Sequence, residues 1–306
     1  MHLVPTTTIK DGSDTKSIEY NVYGDGPALL LIPGLGFGGW GWFKQVPALS
    51  RRFRVVTFEP RVSGDPRYGV AELARDAAAL LGRLGIERAH VLGASLGGFV
   101  AQELALARPN LVDRLVLVCT SHGGRGGERM SPRALAVMFG LGSMSPKGAA
   151  RRGLKVATSA AYRTRRPEEF DALVQERLAR SPSLSSYLRQ AMAGANFDAS
   201  RRVHDIVVPT LVIHGSDDQY VPVANAQALA WAIPDAELRV LDGAGHLVFI
   251  ERAEEVNGEV TSFLLESQEP RRPQMTPGAA PGRARKSRAA RFLGWLARKL
   301  RYRLGR

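Results

Sequence analysis

Three side chains far apart in this chain have the types that nucleophilic acyl chemistry needs: a serine, a histidine and a carboxylate. The serine is Ser95 in HVLGASLGGFVAQE, where Gly93, Ala94, Ser95, Leu96 and Gly97 fit G-x-S-x-G between an apolar run and a helical pattern. Glycine on both sides allows a sharp, closely packed strand-to-helix turn that leaves the hydroxyl exposed at its tip. The following helix supplies its positive N-terminal end and the free Leu96 amide. A serine hydroxyl is a weak nucleophile until a base takes its proton, and that base needs an orienting acceptor. Of six histidines, His246 in LDGAGHLVFIE follows the last apolar run in a glycine-flanked loop, whereas His2, His90, His122, His204 and His214 read as terminal, surface or structural residues. LVIHGSDDQYVP presents Asp217 and Asp218 in a turn, and either suits the acid.

Placing these groups together requires a scaffold that ends several strands at one edge. Short runs rich in Val, Ile and Leu alternate with helical patterns, as βαβ units around a mostly parallel sheet do. Strands are predicted at 17–23, 28–32, 54–58, 90–93, 114–119, 210–214 and 237–241. AELARDAAALLGRLG places Leu73, Ala77, Leu80, Leu81 and Leu84 on one helical face and stops at Gly85. The alternation breaks at 121–203, where SPRALAVMFG, PKGAARRGLKVATSAAY, PEEFDALVQERLAR and SLSSYLRQAMAGA predict four consecutive helices, an inserted cap on a core formed by 1–120 and 204–266.

With the motifs in this order the chain resembles the α/β-hydrolase superfamily, in its cap-bearing serine esterase, lactonase and haloperoxidase-like branch. The resemblance covers Leu3 to Leu265 and implies an α/β-hydrolase fold: a mostly parallel sheet flanked by helices, with an inserted helical cap. The family turn G-x-x-D-x-x-x-P falls on Gly215, Asp218 and Pro222, which assigns Asp218 as the acid, and G-x-G-H falls on His246. The oxyanion loop of the family is similar to LLLIPGLGFGGWGW, where Gly34 matches the glycine and Leu35 the amide donor beside that of Leu96. Pro33 stands where the family usually has histidine, and FEPRVSGDP keeps Arg61 but carries Glu59, Pro60 and Val62 in place of the common residues. A serine at the elbow argues against the epoxide-hydrolase and haloalkane-dehalogenase branches, which use aspartate.

The implied reaction is attack of Ser95 on a carboxylic ester, an acyl-enzyme, and deacylation by water that His246 activates. Thioester and lactone hydrolysis are the alternatives within that chemistry. A ligand receptor or signalling partner that retains the three residues is the alternative outside it. No cofactor is expected, because neither metal-ligand spacing nor a dinucleotide fingerprint occurs. Phe37 and Trp40, with Trp42 and Phe43 nearby, and the cap residues Met138 and Phe139, with Met130 and Met192, are candidates to line an apolar acyl pocket.

Charge separates the body from the tail. The 306 residues hold 42 Lys and Arg against 29 Asp and Glu, a net charge of +13, but residues 270–306 contain 12 basic residues and no acid. The first 269 residues are therefore nearly neutral, with ten basic residues against Glu128 concentrated between His122 and Arg166. That cluster suits an anionic substrate, an acyl-carrier protein or a lipid surface, or is a solvated helix face. Residues 267–287, rich in Pro, Gly, Arg and Ala, predict a disordered linker. Residues 288–306 predict a basic amphipathic helix: Phe292, Leu296, Leu300 and Leu304 recur every four positions, with Leu293 beside them and Trp295 near the border. Such a stripe suits peripheral binding to an anionic membrane, too short and charged to span it. Docking of the stripe back onto the hydrolase body is the next alternative, and nucleic acid is the weakest match, since phosphate binding needs no apolar stripe. Without a recognisable leader or an eighteen-residue apolar run, the expectation is cytoplasmic residence, at the inner face of the membrane when the tail is bound.

Overall fold

A computed structural model describes residues 6–11, 14–60, 68–124, 126–140 and 145–266. Among them the chain forms strands β1 (Thr6–Asp11), β2 (Asp14–Tyr23), β3 (Ala28–Ile32), β4 (Arg54–Phe58), β5 (Ala89–Ala94), β6 (Val112–Val118), β7 (Thr210–Gly215) and β8 (Ala236–Leu241). Their order across the sheet is β1-β2-β4-β3-β5-β6-β7-β8; β2 runs antiparallel to β1 and β4, and every pair from β4 to β8 is parallel. The helices of the core are α1 (Val46–Leu49), α2 (Val70–Arg83) and α3 (Leu96–Ala107). Then come α4 (Pro132–Met138), α5 (Pro146–Ala157), α6 (Ala160–Arg165), α7 (Pro167–Ala179) and α8 (Leu184–Ala195) in the insertion, and α9 (Val223–Ala232), α10 (Val248–Glu251) and α11 (Ala253–Leu265) after it.

The parallel strands read as continuous apolar runs because both faces of the sheet are covered. Leu30, Ile32, Val91, Leu115 and Val212 pack with α2, α3 and α9 on one face, while Leu29, Leu31, Leu92, Val116 and Ile213 pack on the other with α11 and cap residues Phe170 and Val174. Helix α2 buries Leu73, Ala77, Leu80 and Leu81, as the spacing predicts. Its first turn is closed by the Glu72 carboxylate accepting the Gly69 amide at 2.8 Å, and Gly85 at φ +67° ends it.

Seven predicted strands are present with ends shifted by at most three residues; β1 was not foreseen, since TTTIKD carries one large apolar residue. The insertion forms five helices where four are predicted. Thr158 is extended, and the Ser159 hydroxyl accepts the Tyr162 amide to start a new helix, so the long second pattern divides into α5 and α6. Ser131, Ser145 and Ser183 begin α4, α5 and α8 in the same way. The neck is closed by a bridge between Gly123 and Asp198, two and five residues inside the predicted limits of 121–203. The described residues up to Leu265, the cap included, form one compact unit. The predicted linker 267–287 and tail helix 288–306, with Phe292, Trp295, Leu296 and Leu300, lie outside the described residues, as does the loop with Arg61 and Val62. No helix among the described residues is long and apolar enough to cross a membrane.

Candidate active site

The parallel strands deliver the candidate residues to their C-terminal ends, where a doubly covered sheet leaves room for loops. Ser95 sits between β5 and α3 with φ 55° and ψ −117°, a conformation that a side-chain-bearing residue adopts only at a cost of roughly 1–3 kcal/mol. Three bonds hold it: its amide donates to Val118 O at 2.9 Å, its carbonyl accepts the Gly98 amide at 2.9 Å, and the Thr120 hydroxyl donates to the same carbonyl at 2.8 Å. The flanking glycines are required by close approach. A Cβ on Gly93 would lie 2.3 Å from Gly97 O, and one on Gly97 would lie 2.1 Å from Ile32 O.

Asp218 follows β7 in a turn and is buried, with its side chain 0% exposed. Its Oδ1 accepts the Tyr220 and Val221 amides, each at 2.8 Å, and its Oδ2 lies 2.7 Å from His246 Nδ1. Burial alone would raise this carboxyl, but the imidazoles of His246 and His214 outweigh it and hold the group well below the usual carboxylate range. His214, the last but one residue of β7, was read from sequence as structural. It is fully buried, and its Nε2 lies 3.3 Å from Asp218 Oδ2 and 2.8 Å from Val221 O. The i,i+4 spacing of His214 and Asp218 is the only trace of this contact in the sequence. Asp217 points elsewhere: its Oδ1 accepts the Ser216 hydroxyl at 3.1 Å, at an exposed position.

The His246 ring meets Tyr220 edge-on, with centroids 5.4 Å apart, and the Tyr220 hydroxyl donates to Gly153 O in the cap at 3.1 Å. Cys119 lies under this pair. Its thiol, pushed well above its ordinary range first by burial and then by the Asp218 charge, has an Sγ that falls with the Asp218 and His246 ligand atoms inside 4.8 Å. Those three atoms could hold a thiophilic cation only by displacing the proton between His246 and Asp218.

Ser95 and His246 open on one cavity of about 600 Å³ between core and cap. The candidate pocket residues Phe37, Met130, Met138 and Phe139 line it, together with Leu35, Leu154 and Leu178. Gly34 packs against the elbow so closely that a Cβ there would lie 3.2 Å from Ser95 Cβ, which sets Leu35 beside the serine. Leu96 is the first residue of α3, so its amide has no acceptor within the helix. Trp40 is a correction to the sequence reading. The 3₁₀ turn Gly39–Trp42 rotates its ring behind Phe37, stacked at 4.8 Å, so that it lines a separate groove with Phe43 and Glu169 instead of the cavity. Trp42 is core against Phe249, and Met192 is 63% exposed.

Among the described cations of the cap, one lines the cavity. Arg177 on α7 lies over the faces of Phe37 and Tyr187, at 5.2 and 5.9 Å, and donates to Gly36 O; burial lowers its pKa. Arg177 lies outside the basic cluster of 122–166, whose members include surface pairs such as Arg151 with Asp171 and Arg166 with Glu169.

The strained serine, the following helix and the late histidine on a parallel sheet have a counterpart in known proteins. The family model for the alpha/beta hydrolase fold matches residues 27–253. The chain belongs to the α/β-hydrolase family. Among its relatives is a 2-hydroxy-6-oxo-6-phenylhexa-2,4-dienoate hydrolase of Comamonas testosteroni, 30% identical over 272 residues that cover 83% of this chain and 93% of that protein. A poly(3-hydroxyalkanoate) depolymerase of Ectopseudomonas oleovorans is 32% identical over 259 residues, covering 83% and 89%. The enol-lactonase structure from Burkholderia xenovorans LB400 superposes with a TM-score of 0.71 at 26% identity, covering 86% of this chain and all of that one. Hydrolase activity is thus the common thread among these α/β-hydrolase relatives.

Proposed function

We propose that this α/β-hydrolase cleaves a carboxylic ester through an acyl-enzyme, with Ser95 as nucleophile, His246 as base and Asp218 as its orienting acid. The observation that carries this reading is the 2.7 Å bond from His246 Nδ1 to a buried, ionised Asp218, on a histidine that shares one cavity with Ser95. Ser95 Oγ attacks the carbonyl carbon while its proton passes to His246, and the Asp218 charge stabilises the imidazolium that results. The carbonyl oxygen becomes an oxyanion that accepts from the Leu96 and Leu35 amides. Collapse breaks the ester bond, His246 returns the proton to the leaving alcohol, and water then repeats the sequence on the acyl-enzyme. Leu154, Met138 and Phe139 give the acyl group an apolar wall. A lactone is the second reading, favoured by the likeness to the enol-lactonase along its whole length.

The deciding experiment is labelling with a fluorophosphonate probe alongside burst release from p-nitrophenyl esters. Both should occur in the wild type and vanish in Ser95→Ala. A folded wild type that the probe does not label refutes the reading. For residues 288–306, the stripe of Phe292, Leu296 and Leu300 among basic residues supports peripheral binding to an anionic membrane, each Lys or Arg contributing roughly 1 kcal/mol near such a surface.

A further inference from the structure

Both loops that flank Ser95 are tied to the cap. On the oxyanion side the anchor is Gly36, next to Leu35. Its amide donates to Gln190 Oε1 at 2.9 Å, and its carbonyl accepts from Arg177. Gln190 on α8 is only 3% exposed. Gly36 has φ +68°, and a Cβ there would lie 2.4 Å from Arg177 Nη2 and 2.9 Å from the Tyr187 ring, so this junction is closely fitted. Pro33 offers the loop no side-chain hydrogen bond from the core, which leaves both polar groups of Gly36 to the cap.

On the base side, the residues on either side of His246 are held at the junction between α5 and α6. The Leu247 amide donates to Ala157 O at 2.9 Å. The Gly245 amide donates to Glu251 Oε1 at 3.1 Å, and the same oxygen accepts the Ser159 amide at 3.0 Å, while Glu251 Oε2 accepts the Ser159 hydroxyl. One carboxylate therefore bridges the His246 loop to the first turn of a cap helix. A Cβ on Gly245 would lie 2.8 Å from both Ala157 O and Glu251 Oε1, so the two segments touch through backbone.

We propose that the cap is part of the catalytic framework, with Gln190 and Glu251 as positioning residues that fix the oxyanion loop and the His246 loop, so that turnover requires a seated cap. This rests on the serine-hydrolase reading. The physical basis is that a donor peptide or an imidazole displaced by about 1 Å from the reacting carbonyl loses roughly a hundredfold in rate, while substrate affinity depends mainly on the apolar wall. Lifting the cap to admit substrate would break the Gly36, Leu247 and Ser159 bonds together, and reseating it would restore donor and base at once.

The test is Gln190→Met and Glu251→Met, singly and together, assayed with p-nitrophenyl esters. Each should lower kcat by about tenfold to a hundredfold with KM within about twofold, and the two losses should multiply because the residues act on separate loops. Wild-type kcat in folded variants, or a loss confined to KM, overturns the proposal. Should Glu251→Met not fold, Ser159→Ala removes the hydroxyl half of the bridge and must show the same kcat-only loss. The low-field proton resonance of the His246–Asp218 hydrogen bond gives a readout without turnover. It should broaden in Glu251→Met and stay sharp in Gln190→Met; an unchanged signal in Glu251→Met overturns the base-loop half. Fluorophosphonate labelling of the wild type is the control, because its absence removes the hydrolase reading itself while the proton signal still judges the Glu251 bridge.

Discussion

Gly97→Ala isolates the closest backbone approach around Ser95, the proposed nucleophile. The added methyl would sit 2.1 Å from Ile32 O and 2.7 Å from both Ile32 C and Pro33 O, against a floor of 3.0 Å for real Cβ contacts. The first turn of α3 must therefore separate from the end of β3 by about 0.9 Å. The two sides of that gap carry the two proposed donors, Leu96 on α3 and Leu35 after β3, so the oxyanion position opens by a comparable amount. A displacement of this size costs on the order of a hundredfold in kcat, and overpacking costs about 1–3 kcal/mol of stability. Gly82→Ala is the matched control: the glycine lies inside α2 with nothing within 4 Å of its would-be Cβ. It should stabilise the fold by roughly 0.5–1 kcal/mol and leave kcat unchanged. Ester burst kinetics with urea unfolding of both variants decide the matter. A folded Gly97→Ala with kcat within about threefold of the wild type would refute the claim that this contact sets the donor geometry.

Asp218→Asn should lower kcat by about 10³–10⁴, since an amide cannot accept both backbone donors and also hold the His246 tautomer. The folded carboxyl lies below its unfolded value of about 3.9, so the stability it contributes is full above that pH and is lost as pH falls towards the folded value. Urea unfolding from pH 7 down to pH 3 should therefore show a steeper loss in the wild type than in Asp218→Asn; parallel curves would contradict the assignment. For the tail, sedimentation with anionic liposomes should be salt-sensitive and disappear when the residues after Gln268 are deleted. Equal sedimentation of the truncated chain rules out tail-mediated binding.

The core was legible because a buried parallel strand must be apolar on both faces, and few other structures read that way. Ala28–Ile32 and Arg54–Phe58 were placed to the residue. Ser95 was legible because its turn demands glycine at 93 and 97, a constraint written directly in residue types. His214 was not, since a histidine that ends an apolar strand looks the same whether it faces a carbonyl or a carboxylate. Trp40 was misplaced because proximity in sequence to the oxyanion loop says nothing about which way a 3₁₀ turn rotates a ring. The cap contacts at Gln190, Arg177 and Glu251 were invisible for a related reason. Each joins residues between 92 and 154 positions apart, and the pairing depends on how the insertion is seated on the sheet, which local spacing does not encode.

The site divides by what holds it. Ser95 at φ 55° and Cys119 at φ 47° occupy the ends of the neighbouring strands β5 and β6, and both conformations are unfavourable for their residue types. They persist because the sheet over-determines them: Ser95 donates to Val118 O at 2.9 Å, and Cys119 donates to Ile213 O at 2.9 Å, tying three adjacent strands together at the edge. Nothing in that lattice depends on the cap. Ser95 is thus a fixed feature of the core, whereas the proposed donor loop and base are each shared between core and insertion. A change of cap sequence in such a scaffold alters the acyl wall and, through Gln190 and Ser159, the precision of catalysis, while the serine stays where the sheet puts it. Substrate range and rate should therefore vary together when cap residues are exchanged, and probe reactivity that depends only on the elbow should vary least.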